Sequence, residues 1–409
     1  MYIKNIKKSI HLPERIDLFL LIAVLFLIIV PLIINLSFKR ITPSNQVNLY
    51  LSSYFEDVFG KDLTGKLLQS FEEKNPGIKV RLAGDDTEIT DILFFNEGDF
   101  NTLISAQSLG ELNSFTNFDS GKRQMAIPLV SFMNMLFYNI DILTLAGFNS
   151  PPKNREEFLA YSRAVFRGNF GVDAAAMSLS RADGQALSRD IFSWIFANGG
   201  SLWSENDKPV LNNRTFVNDI NYLNTFNREG LFTLNIFDST GAQRLEQFAA
   251  GKLAMMVAST QVIPYLRDRM GDEAFGITTI PYTPIGGRYS IDINALYAGI
   301  NAQSIHPDEA WLFLVHLTEN SPFLCAELKA IPGLVTNITP GDYVMEDPFY
   351  SKAWDIFESS QIVEGFSGKT GALEYESIFL YELQLFFESN RSALDTFNTI
   401  QRRWDALGD

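Results

Sequence analysis

The sequence predicts an α/β fold of two or three domains behind a single transmembrane helix. Three observations carry that expectation. The chain has 409 residues, and a domain typically takes about 100–200. From Val47 onward, strand-like and helix-like segments alternate, the order that builds parallel sheets with covering helices. Near the N-terminus, Leu18 to Ile34 runs without a charge, close to the roughly 20 residues that cross a bilayer core.

The membrane segment comes first. Asn35 to Phe38 extend the apolar run before Lys39 and Arg40, so the expected helix covers 18–38. It is longer than the apolar region of a usual signal peptide, and no small-x-small cleavage pattern follows. An uncleaved signal anchor is expected, with a cleaved signal as the alternative. Lys4, Lys7, Lys8 and Arg15 precede the run. The positive-inside bias keeps 1–17 in the cytoplasm as a basic segment and exports the rest. The expected location is therefore the inner (cytoplasmic) membrane, single-pass, with the soluble part on the extracytoplasmic side. Residues 39–46 form a tether, of which Ile41 to Gln46 reach about 20 Å at full extension.

Composition narrows the function. Hydrophobic residues make up 46% and charged ones 20%, which is globular rather than disordered. The net charge of −15 disfavours nucleic acid as a partner, because phosphates need a basic surface. A single cysteine, Cys325, excludes intrachain disulfides and cysteine-based metal sites. It stands in the apolar run FLCAELKA and reads as buried and inert. Three histidines leave little room for histidine-rich metal chemistry, and no metal or other cofactor is expected.

Along the exported part, Val47 to Ser53 reads as a first strand. Asp62 is positioned to cap a helix that places Leu63, Leu67 and Phe71 on one face. Pro76-Gly77 ends it, and Ile78, Val80 and Leu82 alternate as a second strand. Asp91 to Phe95 is a third, buried strand. Later helices are expected over Asn154 to Val165, Thr215 to Arg228, Ser239 to Ala250, Pro307 to Thr318, Ile378 to Phe387 and Ser392 to Ala406. There is no internal repeat.

Several of these segments resemble the sugar-binding, maltose-binding-protein-like family of extracellular solute-binding proteins of ABC importers. FEEKNPGIKV (Phe71 to Val80) is similar to its opening helix and strand, and Asp91 to Phe95 to its third strand. Ile127 to Phe158 carries Tyr138-Asn139, Asp141, Leu143, Ala146-Gly147 and Pro151-Pro152 at the family's spacing. FAAGKLAMMV (Phe248 to Val257) and Ala298 to Thr318 follow in the family's order. Together they cover about 47–409.

The resemblance implies a two-lobed periplasmic-binding-protein-like fold with hinge strands. Lobe one should hold 47–129 and 292–333, and lobe two 134–289 and 336–409. Crossings are expected near Leu129 to Met133, Ser290 to Ile291 and Gly333 to Thr336. One departure stands out. Only Gly84 to Thr90 separates strands two and three, where the family usually has a helix. Either a sheet face is left uncovered, which would make an apolar docking patch, or the strand pairing differs.

Sugar sites combine aromatic faces with polar groups that read hydroxyls. On loops where the resemblance places the cleft, lobe one offers Tyr54, Phe95, Asn96, Glu97 and Asp99. The first crossing offers Phe132 and Asn134. Lobe two offers Arg189, Asp190 and Trp194 ahead of Asn198-Gly199-Gly200, then Ser259, Thr260 and Gln261, then Tyr375 and Phe379. Each has a plainer reading as core or solvated surface: Phe95 as a strand end, Trp194 as a helical core residue, Arg189 and Asp190 as solvated charges.

Catalytic patterns are weak. Gly365 to Thr370 (GFSGKT) looks like part of a nucleotide loop, but Val363 stands where G-x-x-x-x-G-K-[ST] needs glycine. No H-E-x-x-H or G-x-S-x-G occurs. The expectation is a non-enzymatic, membrane-anchored receptor that binds a sugar or similar polar solute by hinge closure and partners ABC permease subunits. A membrane-tethered sensor without transport, and an exported glycan-acting enzyme, remain as alternatives.

Overall fold

The computed structural model describes residues 46–408 apart from 85–88, 114–123, 178, 180–186, 205–207, 212–213, 234–235, 284–288, 333–341, 364 and 367. The expected anchor at 18–38 and the crossing at Gly333 to Thr336 lie outside the described residues. Among the described residues, no helix is long and apolar enough to cross a membrane.

The elements run β1 (Val47–Leu51), α1 (Tyr54–Lys74), β2 (Ile78–Leu82), β3 (Ile92–Asn96), α2 (Glu97–Ser105), β4 (Ile127–Asn139), α3 (Ile140–Leu145), α4 (Arg155–Gly168) and β5 (Asp173–Ala176). Then come α5 (Leu187–Ala197), α6 (Arg214–Glu229), α7 (Gly241–Ala249), β6 (Leu253–Ser259), a 3₁₀ turn (Thr260–Val262), α8 (Ile263–Met270) and β7 (Phe275–Thr278). The chain continues with β8 (Ser290–Ile291), β9 (Ile293–Ile300), α9 (Pro307–Glu319), α10 (Ser321–Leu328), β10 (Ile331–Pro332) and α11 (Asp342–Glu346). It closes with α12 (Pro348–Ser359), β11 (Gln361–Ile362), α13 (Ala372–Glu388) and α14 (Ala393–Gly408).

Among the described residues two large hydrophobic cores form, beside a small third cluster around Phe95 and Phe100. The first gathers Leu49, Phe55, Phe71, Val80 and Phe94 with Phe132, Ala298, Phe313 and Leu324. The second gathers Met133, Phe137, Phe196, Phe226 and Met255 with Phe275, Phe379 and Trp404. The change-over falls between Phe132 and Met133, inside the 13-residue β4. Ile127 to Met133 pair with β9, and Asn134 to Tyr138 pair with β6. The strand order is β2-β1-β3-β9-β4-β6-β5, with β7 and β10 also on β4. Most of β4 is buried, and that explains its near-continuous apolar sequence.

The first helix begins earlier than expected. It starts at Tyr54 and kinks at Gly60, whose φ is +75°. Asp62 therefore lies inside the helix rather than at its cap. The added turn buries Phe55 and Phe59 against Phe94, with ring centroids 5.0 and 5.5 Å away. At the far end, Asn75 Nδ2 donates to the Phe71 carbonyl at 2.9 Å. Glu72 then accepts from the Val80 amide at 3.0 Å and from Lys79 Nζ at 2.6 Å. This is what the FEEKNPGIKV segment does: it closes a helix and clamps the edge strand that follows.

Strands two and three are reconciled by their pairing. Leu51 is the register partner of both Leu82 and Ile92. β3 thus starts level with the end of β2, one strand beyond β1, and the link need not run back along the sheet. The Tyr50 amide, left short of a strand partner by this stagger, donates to Asp91 Oδ2 at 2.9 Å. Among the described residues, the strand face away from α1 carries no apolar patch. There, Asn48 pairs with Lys79 and Tyr50 with Arg81. All four are exposed or half-exposed, and a polar face needs no covering helix. The docking-patch expectation is withdrawn for that reason.

The Tyr138-Asn139 motif also has a local cause. Asn139 Oδ1 accepts from the Ile142 amide at 2.9 Å and caps α3. A Cβ on Gly276 would lie 2.3 Å from the Tyr138 ring, so this glycine lets β7 pack against it.

Candidate ligand cleft

The junction between the cores is polar. Asn134, on β4, donates from Nδ2 to Ser193 Oγ of α5 at 2.8 Å. Its Oδ1 accepts from Asn294 Nδ2 of β9 at 3.3 Å. Thr260 Oγ1 accepts from the Met133 amide at 3.3 Å. All four polar side chains are buried, where amides and hydroxyls persist only when hydrogen-bonded.

The walls make a second contact. On lobe one, Phe95, Phe100 and Tyr297 form a small aromatic cluster, with centroids 4.7–5.9 Å apart. Opposite it stands the segment before α13. The Gly368 amide donates to Asn101 Oδ1 at 2.8 Å, a bond between the lobes. A Cβ on Gly368 would lie 2.8 Å from the Phe100 ring. Behind this segment, Trp203 Nε1 donates to the Gly365 carbonyl at 2.9 Å, and Lys369 Nζ sits 4.7 Å from the Trp203 ring centre.

Below the floor, α5 is locked by an internal ion pair. Arg155 and Asp219 are in direct contact and both buried. Arg155 Nη2 also donates to the Trp194 carbonyl at 2.8 Å, and Asn198 Nδ2 donates to Asp219 Oδ1 at 2.9 Å. Burial pushes the Asp219 carboxyl up to about 6, opposed by Arg155 and Asn198. The network holds the C-terminal half of α5, at Trp194 beside Ser193 and at Asn198 just past the helix end.

The sequence candidates sort by position. Asn134 lies in the polar floor. Asn96 caps α2, its Oδ1 accepting from the Asp99 amide at 3.0 Å. Glu97 is buried and Asp99 exposed in that helix's first turn, where carboxylates suit the helix dipole. Phe95 joins the aromatic cluster of the upper wall. Tyr54 is half-buried, its ring 5.6 Å from Phe94.

Gln261 is exposed in the 3₁₀ turn, its amide donating to Ser259 Oγ at 3.2 Å. Tyr375 is half-buried between Phe366 and Trp404. Asp190 pairs with Arg244. Arg189 is helical, and its side chain lies outside the described residues. Three rings have packing roles. Phe132, Trp194 and Phe379 are 3%, 4% and 0% exposed in the two cores. Trp194 meets Phe158 at 5.0 Å and Phe379 stacks on Phe192 at 4.6 Å. The proposed site leaves these three out, and with them Phe95, 4% exposed in its own aromatic cluster.

Sequence reasoning missed Asn101, Gly368, Trp203 and Asn294. Trp203 follows the flagged Gly199-Gly200, and Asn294 is a polar break in an apolar strand, so both left a signal. Asn101 and Gly368 meet only through the fold.

Candidate nucleophiles and bases are structural. His316 Nε2 lies 3.0 Å from Ser70 Oγ, but also 3.1 Å from the Leu67 carbonyl. Its Nδ1 faces the Asn320 amide at 3.4 Å rather than a carboxylate. The contact ties α9 to α1. Cys325 is buried, and burial pushes its thiol up to about 12.

A continuous sheet bearing two cores, with a polar junction between facing walls, defines a two-lobed α/β binding-protein fold. Residues 50–321 match the model of the bacterial extracellular solute-binding protein family, and the chain belongs to that family. A Deinococcus radiodurans protein named "Probable ABC transporter-binding protein" is 22% identical over 257 residues, which are 59% of this chain and 58% of that protein. The chain thus spans less than two thirds of this relative's length.

The fold is similar to that of the cyclic alpha-maltosyl-1,6-maltose binding protein of Arthrobacter globiformis, with TM-score 0.73 and 13% identity over 88% of this chain and 99% of that one. It is also similar to UgpB of Mycobacterium tuberculosis in complex with glycerophosphocholine, with TM-score 0.67 and 17% identity over 89% and 98% of the two chains.

Proposed function

We propose that this chain is the membrane-anchored, extracytoplasmic receptor of an ABC importer, and that it binds a sugar or similar polar organic solute between its lobes. The observation that carries the reading is the passage of β4 from one core into the other beside a buried polar floor. A strand shared in this way lets two rigid bodies swing while keeping one sheet, a hinge of the kind that closes on ligand. Lobe one is placed at 47–129 and 292–333, and lobe two at 134–289 and 336–409. No bond making or breaking is needed: the receptor binds, closes and hands over to permease subunits.

A thermal-shift screen of the full chain, in a detergent without a sugar headgroup, tests the ligand class. A bound saccharide at 100 times its Kd is expected to stabilise the fold by about 2.7 kcal/mol. A screen of mono- and oligosaccharides without any shift would remove the sugar reading.

The anchor at 18–38 rests on its charge-free run and flanking lysines and arginines. Protease added to intact spheroplasts is expected to digest everything beyond residue 41 and spare the anchor. Full-length protein, uncut at its N-terminus and recovered in the soluble fraction, would contradict it.

A further inference from the structure

β9 reads Ile-Asn-Ala-Leu-Tyr-Ala-Gly-Ile, and its second residue, Asn294, is an amide in an otherwise apolar strand that also carries Tyr297. The residue is 9% exposed. It is the register partner of Phe132 on β4, one residue from where the cores change over.

The amides there form a directed chain. Asn294 donates to Asn134, and Asn134 donates to Ser193. The chain ends on an acceptor, because Asn294 Oδ1 is buried and has no hydrogen-bond partner. A buried acceptor without a donor is costly, and native folds rarely keep one without a reason. Ser131 Oγ is also buried and unpartnered, but side-chain alternation turns it to the opposite face of β4.

We infer that Asn294 is a specificity-determining contact of the interlobe cleft, where its Oδ1 accepts a hydrogen bond from a hydroxyl of a neutral ligand. The inference rests on the reading of the cleft as the ligand site. A carboxylate or phosphate oxygen does not fit, since acceptor would meet acceptor. An ammonium would have to shed its water beside uncharged amides, at a cost they do not offset. A hydroxyl both donates and accepts, so it suits the amide chain in either direction.

The test is calorimetry on the full chain in the same detergent, with glucose, maltose and their single-deoxy analogues, and putrescine as the ammonium probe. Asn294→Leu is expected to weaken saccharide binding by about tenfold or more, the loss of one buried hydrogen bond. Its melting temperature without ligand should stay near wild type; if it does not fold, Asn294→Ser is the second variant. One deoxy analogue should bind wild type as weakly as the parent sugar binds the variant, with no further loss in the variant. Wild-type affinity in either folded variant would overturn the role of Asn294 and leave the saccharide reading standing. Binding of putrescine alone, with no saccharide bound by wild type, would overturn both.

Discussion

Asp219→Ala is expected to lower the melting temperature by about 10 °C. The substitution leaves Arg155 charged and buried inside lobe two, where both partners are now 7% or less exposed. Stranding one member of a buried pair typically costs about 3–5 kcal/mol. For a body of this size each kcal/mol moves the midpoint by roughly 2–4 °C. Asn198 would lose its acceptor as well, which loosens the turn after α5.

Asp219→Asn should cost less, because its amide oxygen still accepts from Arg155 and Asn198 although the Arg155 charge loses its counter-ion. The folded carboxyl titrates near 6 against an ordinary 3.8, so the fold holds this proton more tightly than the unfolded chain does. Its contribution to stability is therefore greatest below 3.8 and is lost as pH rises through 6. Thermal melts of both variants across that window check the account. A midpoint for Asp219→Ala within about 2 °C of wild type would show that the pair does not hold α5.

Gly368→Val is expected to weaken ligand binding by about tenfold to a hundredfold by obstructing closure. Two independent causes act at this position. Its φ is +73°, a conformation that suits glycine. A Cβ would also press on Phe100 of the other lobe at 2.8 Å. Asn101→Ala removes only the acceptor of the interlobe bond and should weaken binding less, by an amount set by one hydrogen bond. Their effect is expected on holding the cleft shut, through the one bond and the one ring contact that join the two sides there. Calorimetric titration of both variants with the saccharide found in the screen measures this. Equal affinity in wild type and Gly368→Val would mean that the lobes do not meet there in the bound state.

Much of the fold was legible because its signals are local. Asn75-Pro76-Gly77 stops a helix through its own backbone and side chain, and the alternation of Ile78, Val80 and Leu82 needs no partner to be read. Helix caps such as Asn154, whose Oδ1 accepts from the Glu157 amide at 2.9 Å, announce themselves one residue ahead. The start of α1 was missed because Gly60 punctuates it, and a left-handed glycine normally ends a helix rather than kinking one.

The stagger of β3 against β1 was not legible either. Register is a relation between strands, and the sequence shows only the short link that the register permits. The site divided along the same line. Asn134 could be placed because it sits on the crossing strand itself. Trp194 and Phe379 carry helical spacing that serves core packing and ligand stacking alike, and only burial separates the two. The bond from Gly368 to Asn101 spans 267 residues and leaves no local pattern.

The central claim is that ligand closes two lobes over one cleft. Cys325 is buried, so cysteines introduced at the exposed Ser105 and Thr370 can be spin-labelled selectively on opposite walls. Pulsed electron–electron distance measurement in the full chain, with and without the saccharide shown to bind, is the direct test. Hinge closure predicts a shorter and narrower distance distribution at saturating ligand. The same distribution in both states, with binding verified in the same sample, would contradict it.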